Sequence, residues 1–242
     1  MGDTYPTTGK WEEITTDILV RIMQSFHILE LTSSGIPRVC RTWRVAACDP
    51  LLWKKIDLTI LKSNFIKIPT EPFVYVHKDS DKTVTRALKI ALSLSHGNTT
   101  TLFLHLQLYL SDEQLTYVAE RCPQLKRLVL PAWNRIRKTG LCNAIRKWPE
   151  LESLTMPSIR SPAYVMEELA LNCPNFSELK VLGTFDIRFA SALVEYAPRL
   201  KVLSLRCSII FKNALIAILE GLQHLELCFY IHKMICVYIF IS

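Results

Sequence analysis

Apolar residues recur in the order L-x-x-L-x-L along the second half of the chain: Leu125, Leu128, Leu130; Leu151, Leu154, Met156; Phe176, Leu179, Val181; Leu200, Leu203, Leu205; Leu222, Leu225, Leu227. A degenerate earlier copy is Thr99, Leu102, Leu104, and the six starts are spaced by 26, 26, 25, 24 and 22 residues. Side chains alternate across a strand, so Leu128 and Leu130 are expected to point into a stack while Arg127, Val129 and Pro131 face out. Ahead of each copy the apolar period changes to three and four, as in Leu115, Val118, Ala119 and Cys122, and stops at Pro123. Proline has no amide to donate and disfavours helix in the residue before it. The same stop returns at Trp148-Pro149, Cys173-Pro174 and Ala197-Pro198. One repeat therefore reads as helix, turn, strand, and Ser111 with Gln114 supplies a capping box for the helix that carries Leu115.

A period near 25 residues is that of leucine-rich repeats, which stack into a curved solenoid with an extended concave wall. The outward strand positions expected to line this wall and bind a substrate are Phe103, His105, Arg127, Val129, Ser153, Thr155, Lys180 and Ser204, with Glu178, Val202, His224 and Glu226 beside them. Arg121-Cys122-Pro123-Gln124-Leu125 and Asn172-Cys173-Pro174-Asn175-Phe176 resemble the cysteine-containing leucine-rich repeats found behind F-boxes, over roughly residues 83 to 227. Three residues after the last leucine of the motif, where those repeats carry Cys or Asn, stand Trp133, Ile159, Thr184 and Ser208, so irregular turns are expected.

Residues 11 to 58 do not share the period. Ile18, Ile22 and Phe26 fall on one stripe of a helix over Asp17 to Phe26, with Leu19 and Met23 beside it and Thr15 and Thr16 as capping candidates. A second helical pattern from Pro37 to Ala47 carries Val39, Trp43 and Ala46 or Ala47, and Asp49-Pro50 opens a short turn ending in Trp53, before an extended Ile56-Asp57-Leu58. So short a module closes only a small core and needs a partner over its apolar surface.

The order Trp11-Glu12-Glu13-Ile14, Asp17-Ile18-Leu19, Val39-Cys40-Arg41-Thr42-Trp43-Arg44, Asp49-Pro50-Leu51-Leu52-Trp53 and Ile56-Asp57-Leu58 resembles an F-box, in the manner of plant F-box and leucine-rich-repeat proteins. The resemblance implies an α/β architecture: a small all-helical F-box at 11–58, a linker at 59–82, and a solenoid at 83–227 with parallel strands on the concave face and helices on the convex face. It implies a non-catalytic substrate receptor of a Skp, cullin and F-box (SCF) ubiquitin ligase in the cytosol or nucleus. The F-box would bind the Skp-family adaptor, and through it the cullin, while the repeats bind a protein substrate. Adaptor-binding positions carried over by motif are Ile14, Ile18, Leu19, Ile22, Val39, Cys40, Trp43, Pro50, Leu51 and Trp53, some as contacts and some as core. F-boxes usually have Leu-Pro where this chain has Ile14-Thr15, a change that removes a rigid start to the helix. The alternative is a repeat scaffold with a weakened F-box and no ligase role.

Composition narrows the remaining choices. Half the residues are hydrophobic and 21% are charged, which suits a buried core. Residues 1 to 10 lack the apolar run of a secretory signal, and the eight cysteines lack zinc spacing, so they read as free thiols in a reducing compartment. The net charge of +7 is uneven: Arg121, Lys126, Arg127, Arg135, Arg137, Lys138, Arg146 and Lys147 stand in a stretch without Asp or Glu. That stretch reads either as a surface for an anionic partner, nucleic acid included, or as a solvated convex face. No phosphate-binding glycine loop, H-E-x-x-H or G-x-S-x-G is present, so neither catalysis nor a cofactor is expected. Residues 228 to 242 form an apolar tail, too short for a membrane-spanning helix of about 20 residues. The tail is read as a buried strand and as the product of truncation or alternative splicing.

Overall fold

A computed structural model of the chain describes residues 14–33, 35–62, 65–67, 74–76, 78–131, 134–159, 161–206, 210–232 and 235–240. Trp11, Glu12 and Glu13 of the N-terminal motif, Trp133 and Ser208 at the turn positions, and the side chains of 227–240 lie outside the described residues. In chain order the elements are α1 (Thr16–Met23), α2 (Ile28–Ser33), α3 (Arg41–Ala47), β1 (Lys55–Leu58), β2 (Phe65–Lys67), β3 (Val74–Val76), α4 (Lys78–Ser95), β4 (Thr101–Leu104), β5 (Leu110–Ser111) and α5 (Asp112–Arg121). They continue as β6 (Arg127–Val129), β7 (Asn134–Arg135), α6 (Lys138–Ile145), β8 (Ser153–Pro157), α7 (Ala163–Asn172), β9 (Glu178–Leu182), α8 (Ile187–Tyr196), β10 (Val202–Arg206), α9 (Lys212–Gly221), β11 (Leu227–His232) and β12 (Ile235–Phe240). Single 3₁₀ turns occupy Ile36–Arg38 and Pro50–Trp53.

One sheet runs the length of the molecule in the order β1-β4-β6-β8-β9-β10-β11-β12. Its pairs are parallel except the last, where β12 returns antiparallel to β11. Helices α4 to α9 pack in sequence order, each against the next. This is the α/β solenoid that the period predicts. Its strands are joined below their ends by a backbone ladder in which one carbonyl per repeat serves the next. Lys54 O accepts from the amides of Thr100 and Thr101, Thr100 O from Lys126 and Arg127, and Lys126 O from Glu152 and Ser153, at 2.8 to 3.2 Å. The series continues through Glu152 O, Ser177 O and Lys201 O, the last accepting from Glu226 N at 2.9 Å.

The ladder corrects the sequence reading at both ends. Glu226 occupies the rung of Lys126 and Lys201, and Cys228 aligns with Leu203, so the last copy is Leu225, Cys228, Tyr230 rather than Leu222, Leu225, Leu227. Leu222 is instead the counterpart of Cys122 at the helix end: each takes the last backbone bond of its helix, and each carbonyl receives Leu225 N or Leu125 N. The apparent shortening of the period to 22 was a slip of three residues on a run rich in leucine. At the other end Trp53, Ile56 and Leu58, all essentially buried, repeat the same spacing one copy earlier. The N-terminal segment thus ends as the first rung of the solenoid.

Local chemistry explains most element ends. Ser111 Oγ accepts from Gln114 N and Gln114 Oε1 accepts from Ser111 N at 2.9 Å, so the capping box closes α5. Helices α5, α7 and α8 stop one residue before the residue that precedes proline. The pattern from Pro37 to Ala47 is broken rather than one helix, because Cys40 is extended at φ −156° and separates the 3₁₀ turn from α3. Helix α2 carries no comparable periodic signal in its six residues. The stretch 59–82 holds the antiparallel pair β2 and β3 and the first turn of α4. Pro131, expected to face out, is buried, since the chain has already left the strand at Val129 and turns over the core edge.

Two of the buried cysteines, Cys122 and Cys173, fill helix-end positions, and a third, Cys142, lies within α6. Cys173 Sγ donates to Trp148 O at 3.3 Å, and burial pushes the thiols of Cys122 and Cys173 up to about 12. No helix among the described residues is long and apolar enough to cross a membrane.

Because Cys122 and Cys173 hold their protons more tightly folded than unfolded, the stability they contribute is complete below about pH 9, the unfolded thiol value, and is lost as pH rises toward about 12. In native protein at pH 8, a thiol-reactive probe is expected to modify exposed Cys48 readily and Cys122 and Cys173 only after denaturant is added, as read by peptide mass spectrometry. At the α8–α9 contact, a methyl on Gly221 would lie 2.5 and 2.6 Å from the two Val194 methyls. Gly221→Ala is expected to lower stability by about 1–3 kcal/mol, with Val194→Ala recovering most of the loss in urea titrations.

Candidate functional site

Two surfaces carry the residues that the sequence singles out. The first is a face of the N-terminal helices. Helix α1 presents two apolar stripes, and the fold uses them differently: Leu19, Val20 and Met23 pack inward, while Ile18 and Ile22 stay in solvent. Leu19 is 0% exposed and Trp53 2%, against 49% for Ile18, 53% for Val39 and 61% for Leu51. Of the ten motif positions, Leu19 and Trp53 are therefore core and not contact surface. Ile14, Cys40, Trp43 and Pro50 are half-buried, and Ile18, Ile22, Val39 and Leu51 are the exposed set. Val45, which the motif reading omitted, is 55% exposed on α3, a helix packed against both α1 and the Ile36–Arg38 turn. Five large aliphatic side chains left in water on a few dozen residues are unusual for a surface without a partner.

Trp53 is buried because it fastens this segment to the solenoid. Its indole Nε1–H donates to Ala47 O at 3.1 Å, and its own carbonyl accepts from Thr99 Oγ1 at 3.0 Å. Asp49 caps the short turn that delivers it, its carboxylate accepting from Leu51 N at 2.9 Å. The start of α1 keeps the form a proline would fix: Thr15 sits at φ −65°, within the proline range. Its hydroxyl bonds the Asp17 carboxyl and holds it below the usual carboxylate range.

The second surface is the concave wall. Strand register aligns two rows of side chains across it, Lys55, Thr101, Arg127, Ser153, Glu178 and Val202 in one, Asp57, Phe103, Val129, Thr155, Lys180 and Ser204 in the other. Arg127 is exposed, and Phe103, Val129, Lys180 and His105 are half-buried. Ser153, Thr155 and Ser204, expected to face solvent, are buried at 7%, 8% and 7%. Their side chains do lie on this wall, but larger neighbours on flanking strands shade them, so they form its floor. His224 lies in the turn before β11, and Glu226 is an exposed rung residue paired with Lys201 at 3.2 Å, so neither belongs to the wall.

Glu178 sits at the centre of the wall. Burial alone would raise its carboxyl, but the hydrogen bond and charge of Lys180 at 2.7 Å, a bond with Ser153 and the charge of Arg127 at 4.0 Å outweigh it and hold it below the usual range. At the opposite end Lys55 Nζ lies over the Phe103 ring, 5.2 Å from its centre. His105 is shifted downward by burial and by the charge of Lys62, and its Nδ1 accepts from Gln107 N.

The basic stretch from Arg121 to Lys147 is not a free patch. Lys126 pairs with Glu152 at 2.7 Å, Arg137 Nε with Asp112 at 2.9 Å, Lys147 with Glu120 at 3.3 Å, and Arg146 with Glu168. Arg121 stacks over Tyr117 and Lys138 over Tyr164. Nearly every acidic partner comes from a neighbouring repeat, where the sequence stretch itself has none. Such surface pairs each give about 0–1 kcal/mol, and they match four of the eight cations of the stretch with carboxylates. Among the described residues no three His, Cys, Asp or Glu side chains gather as a metal site.

The F-box-like family model matches residues 16–59. An F-box/LRR-repeat protein of Arabidopsis thaliana is 58% identical over 217 residues, covering 90% of this chain and 70% of the relative. Another F-box/LRR-repeat protein from that plant is 29% identical over 223 residues, covering 89% of this chain and 85% of its own length. An Arabidopsis thaliana F-box protein is 26% identical over 258 residues, with 93% and 77% covered.

The split of motif positions into core and surface has a direct consequence. Leu19→Ala is expected to destabilise the chain by about 2–5 kcal/mol, while Leu51→Ala should stay within about 0.5 kcal/mol of the parent, both read from chemical denaturation.

Proposed function

The chain belongs to the F-box/LRR-repeat family, and from that premise we propose that it is the substrate-recognition subunit of an SCF-type ubiquitin ligase. Its F-box would bind a Skp-family adaptor, and its concave wall would hold the protein to be ubiquitinated. The observation that carries the reading is the set of exposed aliphatics, Ile18 and Ile22 on α1, Val45 on α3, and Val39 and Leu51 at the two 3₁₀ turns, beside the buried Leu19, Val20 and Met23. Burial of such side chains stabilises an interface by about 1.5–3 kcal/mol each when complete, so a few suffice as the centre of a docking surface. Leu19 and Trp53 support that surface from beneath. The chain would do no bond chemistry itself; it would hold a substrate near the transfer machinery, and proximity is a large rate term. The continuous sheet favours this role, since it offers a firm connection between the adaptor face and the wall.

The test is a pull-down of the full chain by purified Skp-family adaptor, beside the double variant Ile18→Asp, Leu51→Asp. The parent is expected to bind, and the variant to lose binding by about thirty-fold or more while unfolding at the parent's temperature. A well-folded parent that does not bind the adaptor would favour the other reading, a repeat scaffold without a ligase role.

A further inference from the structure

Resting on the receptor reading, we propose that the N-terminal end of the concave wall is a seat for an acidic side chain and an apolar one two residues away from it, in an extended segment of the substrate. The seat is made by Lys55, Thr101 and Arg127 in one row and by Phe103 and Val129 in the next. Lys55 and Arg127 rise from strands two apart, roughly 10 Å across the sheet, with the short Thr101 between them. A carboxylate over Thr101 reaches both cations and a hydroxyl donor. Phe103 and Val129 lie two residues along the same strands, about 7 Å away, which matches the step between alternate side chains of an extended peptide.

Charge on the wall points the same way. Its two acidic residues are engaged locally: Asp57 accepts from Thr59 N at 3.0 Å and from Thr59 Oγ1, and Glu178 is held by Lys180 at 2.7 Å. Glu178 meets Arg127 only at 4.0 Å, and Arg127 remains 57% exposed. Lys55 has an aromatic face under it and, among the described residues, no carboxylate partner. By contrast, the exposed cations just off the wall, Lys126 and Lys201, are each matched by a glutamate of the next repeat, Glu152 and Glu226. The fold balances charge along its outer rung and leaves an excess of positive charge at this end of the wall, next to apolar surface.

The experiment uses the full chain co-purified with the Skp-family adaptor and three fluorescent peptides of equal length, repeats of Glu-Ala-Phe-Ala (the Glu-Phe peptide), Gln-Ala-Phe-Ala (the Gln-Phe peptide) and phosphoserine-Ala-Phe-Ala (the phosphoserine peptide), in which the polar and phenyl side chains stand two residues apart on one face. The Glu-Phe peptide is expected to bind, more weakly as salt rises, and the Gln-Phe peptide about ten-fold less tightly or worse. Lys55→Gln with Arg127→Gln should weaken Glu-Phe binding about ten-fold, and Thr101→Glu, which places a carboxylate in the seat, should do the same. Lys126→Gln with Lys201→Gln should leave it unchanged. Equal binding of Glu-Phe and Gln-Phe, indifference to the Lys55 and Arg127 changes, or binding of the phosphoserine peptide alone would overturn the proposal. None of these variants touches the adaptor face, so a seat that fails while the adaptor still binds leaves the receptor reading intact, and loss of adaptor binding by the parent defeats that reading separately.

Discussion

Everything in this molecule hangs on one backbone arrangement: a single carbonyl in each repeat that accepts two amides from the repeat that follows. Because the donors are main-chain groups, the arrangement asks nothing of the side chains at the rung, which vary from Lys54 through Thr100, Glu152 and Ser177 to Lys201. It does fix the phase. Once the rung is set, the leucine three residues before the first strand leucine must point inward, alternate strand residues must line one wall, and the helix must close within a fixed length. Buried backbone groups left without partners cost about 1–3 kcal/mol each, so a repeat that slips by one residue loses more than any surface contact could return. The rung therefore governs packing, and packing governs which residues reach the wall.

Much of this was legible in the sequence because it is periodic. The strand leucines, the prolines behind the helices and the Ser111–Gln114 box each carry a local physical cause, and the structure places them accordingly. The slip at Leu222, Leu225 and Leu227 shows where periodicity deceives: a helix end with leucine in the cysteine position imitates the start of the next motif. Trp53, Ile56 and Leu58 were missed for the opposite reason, since the tryptophan disguises the leucine position and about 46 residues separate it from Thr99.

The candidate sites were legible less evenly. A helix such as α1 with two adjoining apolar stripes gives no sign of which stripe meets the core and which meets a partner; only the packed position of α3 decides between Leu19 and Ile18. The floor of the wall was misread because alternation assigns a side chain to a face but says nothing of the height of its neighbours, and a serine between arginine and glutamate is overshadowed. The basic stretch is instructive in another way. Charges counted along the chain are neighbours in sequence, whereas a residue's physical neighbours in a solenoid lie about 25 positions away. Comparing Lys126 with Glu152, or Lys147 with Glu120, at that offset would have revealed the balance.

The strand that closes the N-terminal segment is shared property. Lys55 to Leu58 completes the helical segment through Trp53 just before it, and at the same time covers the amides and carbonyls of β4 that would otherwise form a bare sheet edge. Protein engineers who cut such a chain at the last helix, to graft its repeats onto another binding module, would expose that edge and invite strand-to-strand aggregation. The transferable unit is the repeat array with its preceding tryptophan and strand attached, so evolution, too, would find the two halves easier to inherit together than to shuffle.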